Sequence, residues 1–427
     1  VNPLSTFRES FSPLRFRNFR IYIGGQAISL IGTWIQTTAQ GWLVWQLTGS
    51  EAANGMVQAL SALPILLLGP WAGVWAERLD RRKLLIGTQI GLMLLAFILA
   101  LLVQTGLVQI WHVFVLSFLL GVITAIDLPA QQAFLGDLAG MGEVRKAVNL
   151  NATVLQISRM VGPAIAGSIL ASQGLAPTFW INGLSFLAVI ASLVVLQSSQ
   201  VRRQTGPVRP LGEIREALRY LRTHPRMQDL FIFATLVVLL VISIIMSQLP
   251  AVAEKLLGGN AQTFGLLQSA SGAGALISVL IVIPVFQSLK RSGLALTGAV
   301  LWMGIWLLVF GLSRSLLLSV TSLFLGSMGA PTVIATSLGL LQVMSPQDMR
   351  ARLLSLFTMI SFGLQTVAVL VVGSLAENLG IATAIEINAL LLLTGGVLMF
   401  LLRKGLKDWQ ISTPSVPVPA TTELVTH

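Results

Sequence analysis

Residues 73–83 read Gly73-Val-Trp-Ala-Glu77-Arg78-Leu-Asp80-Arg81-Arg82-Lys83, and six of the last seven are charged in a chain where only 10% are. An apolar run from Gly55 to Trp75 enters this stretch, and another from Leu84 to Val103 leaves it. Two apolar segments of membrane length joined by a burst of charge read as two spanning helices with a tight turn on one bilayer face. A fainter echo, Ser288-Leu-Lys290-Arg291-Ser-Gly293, stands in the second half of the chain.

The rest of the composition extends that reading. Hydrophobic residues make up 55% of the 427, with a mean hydropathy of +0.83, too apolar for an ordinary soluble protein. A spanning helix needs about 20 mainly apolar residues. Twelve runs qualify, near 20–47, 54–76, 83–104, 109–134, 148–172, 176–197, 228–252, 262–287, 293–312, 315–343, 351–377 and 380–402. They are too long and unbroken for barrel strands, which alternate apolar and polar residues over about 10 positions. The expected fold is an all-α membrane protein, twelve transmembrane helices in two six-helix pseudo-symmetric bundles.

The net charge of +11 would suggest nucleic acid in a soluble protein. Its placement excludes that partner. Of the 27 basic residues, all but Lys255, Arg314 and Arg159 fall on one side of a twelve-span topology. That asymmetry puts both termini in the cytoplasm by the positive-inside rule. The chain has no cysteine and 3 scattered histidines, so no thiolate metal site, zinc motif or disulfide is expected. No nucleotide-binding glycine loop appears, and no cofactor is implied. No cleavable signal is evident, since the first apolar run is too long for one.

Five regions follow: 1–19, an amphipathic lead-in; 20–197, the first bundle; 198–227, a basic linker with an amphipathic helix; 228–402, the second bundle; and 403–427, a proline-containing tail expected to be disordered. The bundles share faint similarity. Gly55-Met-Val-Gln58-Ala parallels Gly265-Leu-Leu-Gln268-Ser, and Glu143-Val-Arg145 parallels Asp348-Met-Arg350. A parallel six-helix repeat is the pattern of a carrier whose site lies between its halves at mid-membrane.

In the first helix Ser29, Thr33, Gln36, Thr37 and Gln40 form one polar stripe, which either lines a cavity or bonds to a neighbouring helix. Asp127 and Arg159 fall at similar depth in the fourth and fifth helices. Buried charges are costly alone, so they read as a pair, with Asp127 a candidate to exchange Arg159 for a proton.

Gly73, Arg78, Arg81 and Arg82 resemble the signature between helices 2 and 3 of the major facilitator superfamily, with Glu77 for its usual aspartate and Asp80 for its glycine. The resemblance implies a gate: an acid against the start of helix 11, and arginines clamping neighbouring acids. Gly162, Pro163 and Gly167 resemble the core of that superfamily's antiporter signature, with Ala166 replacing one glycine. The superfamily lines its cavity with helices 1, 4, 7 and 10, which implies Gln36, Gln40, Thr124, Ser243, Ser247, Thr332 and Thr336 here. Leu14-Arg-Phe-Arg-Asn-Phe-Arg20, Gly25-Gln26 through Trp34, and Asp127-Leu-Pro129-Ala-Gln-Gln-Ala133 resemble the branch of enterobactin exporters and macrolide pumps. What this implies is a monomeric carrier in the bacterial inner membrane. It would export a small organic molecule, siderophore-type first and drugs second, by alternating access with protons as coupling ion. A lipid flippase or a non-transporting sensor is the remaining alternative.

Overall fold

The computed structural model describes residues 12–139, 143–196, 210–288 and 292–403; side chains at 70, 73, 74, 76–78, 145, 210–213, 287–288, 348, 351 and 362 lie outside the description. The expectations for the lead-in before residue 12, the linker over 198–209 and the tail after 403 also lie outside it.

Six helices make up the first half: α1 (Arg17–Thr48), α2 (Glu51–Arg78), α3 (Arg81–Gln104), α4 (Ile110–Ala139), α5 (Val144–Gln173) and α6 (Ala176–Val195). A linker helix, Pro210–Thr223, leads to the second six. These are α7 (225–256), α8 (261–288), α9 (Ser292–Leu312), α10 (Leu316–Met344), α11 (Gln347–Leu379) and α12 (Ile381–Leu402). Eleven are long and apolar enough to cross a membrane. The twelfth, α1, has 32 residues and ample length, but its Gln, Ser and Thr stripe dilutes its hydropathy. Helices suit this role because each satisfies its own backbone where no water is available.

Local chemistry fixes the short turns. Gly49 takes φ 60° after α1, a left-handed cap that L side chains resist, and its N–H returns to the Trp45 carbonyl. Ser50 caps α2 by accepting from the Ala53 N–H, and Asp80 caps α3 by accepting from the Lys83 N–H. Turns this short force antiparallel neighbours, so both described ends of the chain fall on one face. We call it the terminal face and the opposite one the far face. The second half departs from regular helix in three π turns, 238–242 and 252–256 in α7 and 278–282 in α8.

Each half has its own apolar core. Phe19, Tyr22, Leu85, Phe134 and Leu193 are buried in the first, and Phe233, Leu267, Leu296, Phe310 and Leu392 in the second. The halves meet along two seams, α5 on α8 and α2 on α11. Glycines make both close. A β-carbon on Gly265 would stand 2.5 Å from the Pro163 carbonyl oxygen, and one on Gly55 2.5 Å from that of Val369. Small residues of this kind let spanning helices approach backbone to backbone.

Candidate functional site

On the far face, four side-chain contacts bridge the halves. Lys255 Nζ lies 2.8 Å from Glu51 Oε1, whose side chain is 2% exposed, and Lys255 also sits 5.0 Å above the Trp45 ring. Trp45 Nε1 donates to Glu254, and Ser50 Oγ donates to Glu377 at 3.3 Å. Deeper, Thr38 Oγ1 donates to Gln268 Oε1 at 2.6 Å, both buried. Trp42 stacks on Phe264 at 6.2 Å. Along α5 and α8 the innermost glycine contact is Gly272, whose β-carbon would meet the Arg159 carbonyl oxygen at 2.5 Å. Along α2 and α11 it is Gly363 against Leu66. Both lie near mid-helix. The described ties between the two bundles thus run from the far face to mid-helix.

The charged turn sits at the terminal face. Arg81 Nη1 donates to both carboxylate oxygens of Asp137 on α4, at 2.8 and 2.7 Å. Arg82 donates to the Leu193 and Val194 carbonyls at the end of α6, both at 2.6 Å. Cations at a helix C-terminus complement its exposed carbonyls and dipole. These ties all stay within the first half. The side chains of Gly73, Glu77 and Arg78 lie outside the described residues, so the expected contact with the start of α11 has no described geometry.

The expected pairing of Asp127 with Arg159 is not what the structure holds. Asp127 is buried and turns toward α3 and its own helix. Thr88 Oγ1 donates to Oδ1 at 2.5 Å, Gln89 Nε2 reaches both oxygens at 3.1 and 3.2 Å, and Gln131 Nε2 donates to Oδ2 at 2.5 Å. Gln26 on α1 extends the cluster by donating to Gln131 at 3.2 Å. Arg159 instead points to α1, its guanidinium carbon 5.4 Å from the Trp34 ring centroid. Its Nε is buried without a partner. Helix packing is the reason: α4 packs mainly on α2 and α3, while α5 packs on α1 and α8. Two residues at one depth therefore face different neighbours. A cation–π contact is worth about 2 kcal/mol when desolvated. Withdrawing an ion from water costs several kcal/mol. The Trp34 face alone does not offset the burial of Arg159.

Gly162, Pro163 and Gly167 form the close-packed face of α5. A β-carbon at Gly162 would stand 2.5 Å from Trp34 Cβ, and one at Gly167 3.2 Å from the Gln262 Cα. Most of the expected cavity residues are buried and tied within their own half. Gln36 accepts from Asn182 Nδ2 at 2.7 Å, and Gln40 donates to Ser117 Oγ at 2.8 Å. Ser243 and Ser247 bond to carbonyls one turn back, and Thr332 shares a 2.8 Å hydrogen bond with Ser278. Thr124 is partly exposed, and the Thr336 hydroxyl is buried without a partner. Sequence reasoning missed Glu51 and Glu254. The available signal was Lys255, one of the few basic residues away from the terminal face, which needed an acid nearby.

No group of three or more metal-binding side chains occurs among the described residues. The chain matches the transmembrane secretion effector family over residues 8–426. It is 27% identical to the staphyloferrin A transporter of Staphylococcus aureus over 62% of this chain and 66% of that one. It is 25% identical to macrolide efflux protein A of Streptococcus pyogenes over 71% of this chain and 75% of that one. The chain thus spans just under two thirds of the first relative. A bacterial homologue of the human lysosomal transporter Spinster, inward-facing and unoccupied, superposes with a TM-score of 0.70. That likeness covers 94% of this chain and 99% of the other at 13% identity, and it speaks to fold alone.

Proposed function

The chain belongs to the transmembrane secretion effector family of the major facilitator superfamily, and from that membership we propose that it exports a small organic molecule by proton-coupled alternating access. It is a multi-pass membrane carrier rather than an enzyme. The observation that carries the export reading is the match to the transmembrane secretion effector family over residues 8–426. The basic residues gathered at the terminal face support reading that face as cytoplasmic. Rocking of the two halves around the mid-membrane seam then delivers cargo outward.

Siderophore-type cargo leads, in line with the staphyloferrin A transporter. Amphipathic antibiotic efflux is the second reading, favoured by the likeness to macrolide efflux protein A. The protein acts as a monomer in the bacterial inner membrane. Asp127 is the proton-coupling candidate. It is a buried carboxylate at mid-helix held by donors from α3 and α4, and gaining a proton would change what Thr88, Gln89 and Gln131 can donate to.

The test is proton movement in inverted vesicles with an imposed pH gradient, candidate siderophores and macrolides being added in turn. A substrate-dependent pH response lost in Asp127→Asn supports proton-coupled export through Asp127. A response that survives the substitution keeps antiport and removes Asp127 from it. Substrate movement with no pH response overturns proton coupling.

A further inference from the structure

Arg159 carries a charge that no other described group answers. It makes no hydrogen bond or ion pair among the described residues, and its Nε is buried and unpartnered. The acid expected to balance it, Asp127, is held elsewhere by three donors. Its position is specific. Its own backbone forms the innermost described glycine contact between the halves, against Gly272.

The face of α5 leading to it is polar. Asn149 is exposed, and Thr153 and Gln156 are partly so. Steps of four, three and three residues put them on one stripe with Arg159. Ten residues of helix carry that stripe about 15 Å from Asn149 to Arg159. Beyond Arg159 the same face continues through Pro163 and Gly167, where it packs on α8 of the other half. So this α5 face is tight where it packs on α8 and polar toward the terminal face. A polar stripe against lipid is costly, and one facing a water-filled opening is not. Across the seam, Ser269 on α8 lies three residues from Gly272 with a buried, unpartnered hydroxyl.

We propose that this stripe faces water, that Arg159 at its inner end docks a carboxylate of the transported molecule, and that the cargo is therefore an organic acid. A guanidinium holds five N–H donors in one plane, and a carboxylate takes two of them side by side. The Trp34 ring lies against the cation, 5.4 Å from its centre. Because the Arg159 backbone packs on Gly272, an anion held there sits beside the contact between the two bodies that must move. The identification of the ligand as cargo rests on the export reading above. The anion site itself rests on geometry.

The test is binding, not transport, so the two ideas fail separately. The full chain in neutral phosphatidylcholine nanodiscs is melted in citrate, in its uncharged triethyl ester, and in sodium chloride of equal ionic strength. Citrate is expected to raise the melting temperature of the intact protein; the ester and chloride are not. Arg159→Gln should bind citrate at least about tenfold more weakly, as loss of a charge-assisted bond predicts. Arg159→Lys, which keeps the charge without the fork, should fall between. Without anion, Arg159→Gln should melt higher than the intact chain, because an unanswered charge has gone; a purely structural arginine would melt lower on removal. If Arg159→Gln does not fold, the lysine variant and the citrate-to-ester contrast decide. A citrate shift of equal size in the variants, or none in the intact protein, overturns the proposal. A shift that appears only with acidic phospholipid in the nanodisc assigns the site to lipid and also overturns it. A positive result with no movement of any acid in vesicles leaves the site standing and sinks the export reading.

Discussion

At the scale of single residues, position within the seam decides what a small change costs. A β-carbon at Gly272 would meet the Arg159 carbonyl oxygen at 2.5 Å and the Met160 nitrogen at 2.7 Å, both backbone atoms of the other half. Neither can swing aside, so Gly272→Ala must push α5 and α8 apart. Overpacking of this kind costs about 1–3 kcal/mol. Gly298 has open space around it. Thermal unfolding should show a clear loss for Gly272→Ala and little change for Gly298→Ala; equal losses would mean that the seam is looser than its geometry. The same scale shows where sequence reading stops. Asp127 and Arg159 were legible as unusual charges because spanning segments rarely contain them. Their partners were not legible. Depth along a helix can be counted from sequence, but the direction a side chain faces depends on which helices pack together, and α4 and α5 face different neighbours.

At the scale of elements, the twelve helices could be read because lipid demands long apolar runs, and their ends could be read from charge. What closes each turn is finer chemistry. The short 3₁₀ turn Ser12–Arg15 is moored to the start of α5 through Glu143. Ser12 Oγ donates to its Oε2 at 2.6 Å, while Lys146 and Arg15 approach the two oxygens at 3.2 Å. The Ser12 hydrogen bond, then the two cations, hold the Glu143 carboxyl below the usual glutamate range. A depressed carboxylate stabilises its contacts above the unfolded pKa and loses that contribution as pH falls through the lowered folded pKa. The mooring should therefore persist at neutral pH and release only in acid, below the usual glutamate range. Hydrogen exchange at residues 12–16 should quicken across that acid range in the intact protein. Glu143→Gln should exchange fast at neutral pH already and lose the acid step; a variant that keeps the step would place the titration on another group. The arginines of the charged turn belong to the same scale. Arg81 grips Asp137 and Arg82 caps α6, so Asp137→Asn should loosen the 79–80 turn with little effect on global melting, as proteolysis at the terminal face can report.

At the scale of the whole molecule, the contacts on the far face hold the two halves in one of their arrangements. The partners of Glu51, Glu254 and Glu377 cannot be read from the sequence, because they lie 204, 209 and 327 residues away and only folding brings them together. Glu51 carries the most weight among them, since its side chain is 2% exposed and pairs with a half-exposed Lys255. Replacing it with glutamine removes the charge and keeps the shape. It leaves Lys255 with the Trp45 face alone. A loss of 1–2 kcal/mol changes a two-state ratio by about 5–30-fold. The closed far face should thus give ground to an open one in Glu51→Gln, without unfolding. The chain has no cysteine, so single labels can be placed without background. Spin labels at Leu47 and Gln262, on opposite halves of the far face and both exposed, report the separation directly. The intact protein should give mainly a short distance, and Glu51→Gln should add a longer one. Lys255→Met should do the same, because the pair is lost from either end. Suppose both variants keep the short distance. The glycine seams then hold the far face shut on their own, and Gly272→Ala, not Glu51→Gln, becomes the substitution that opens it.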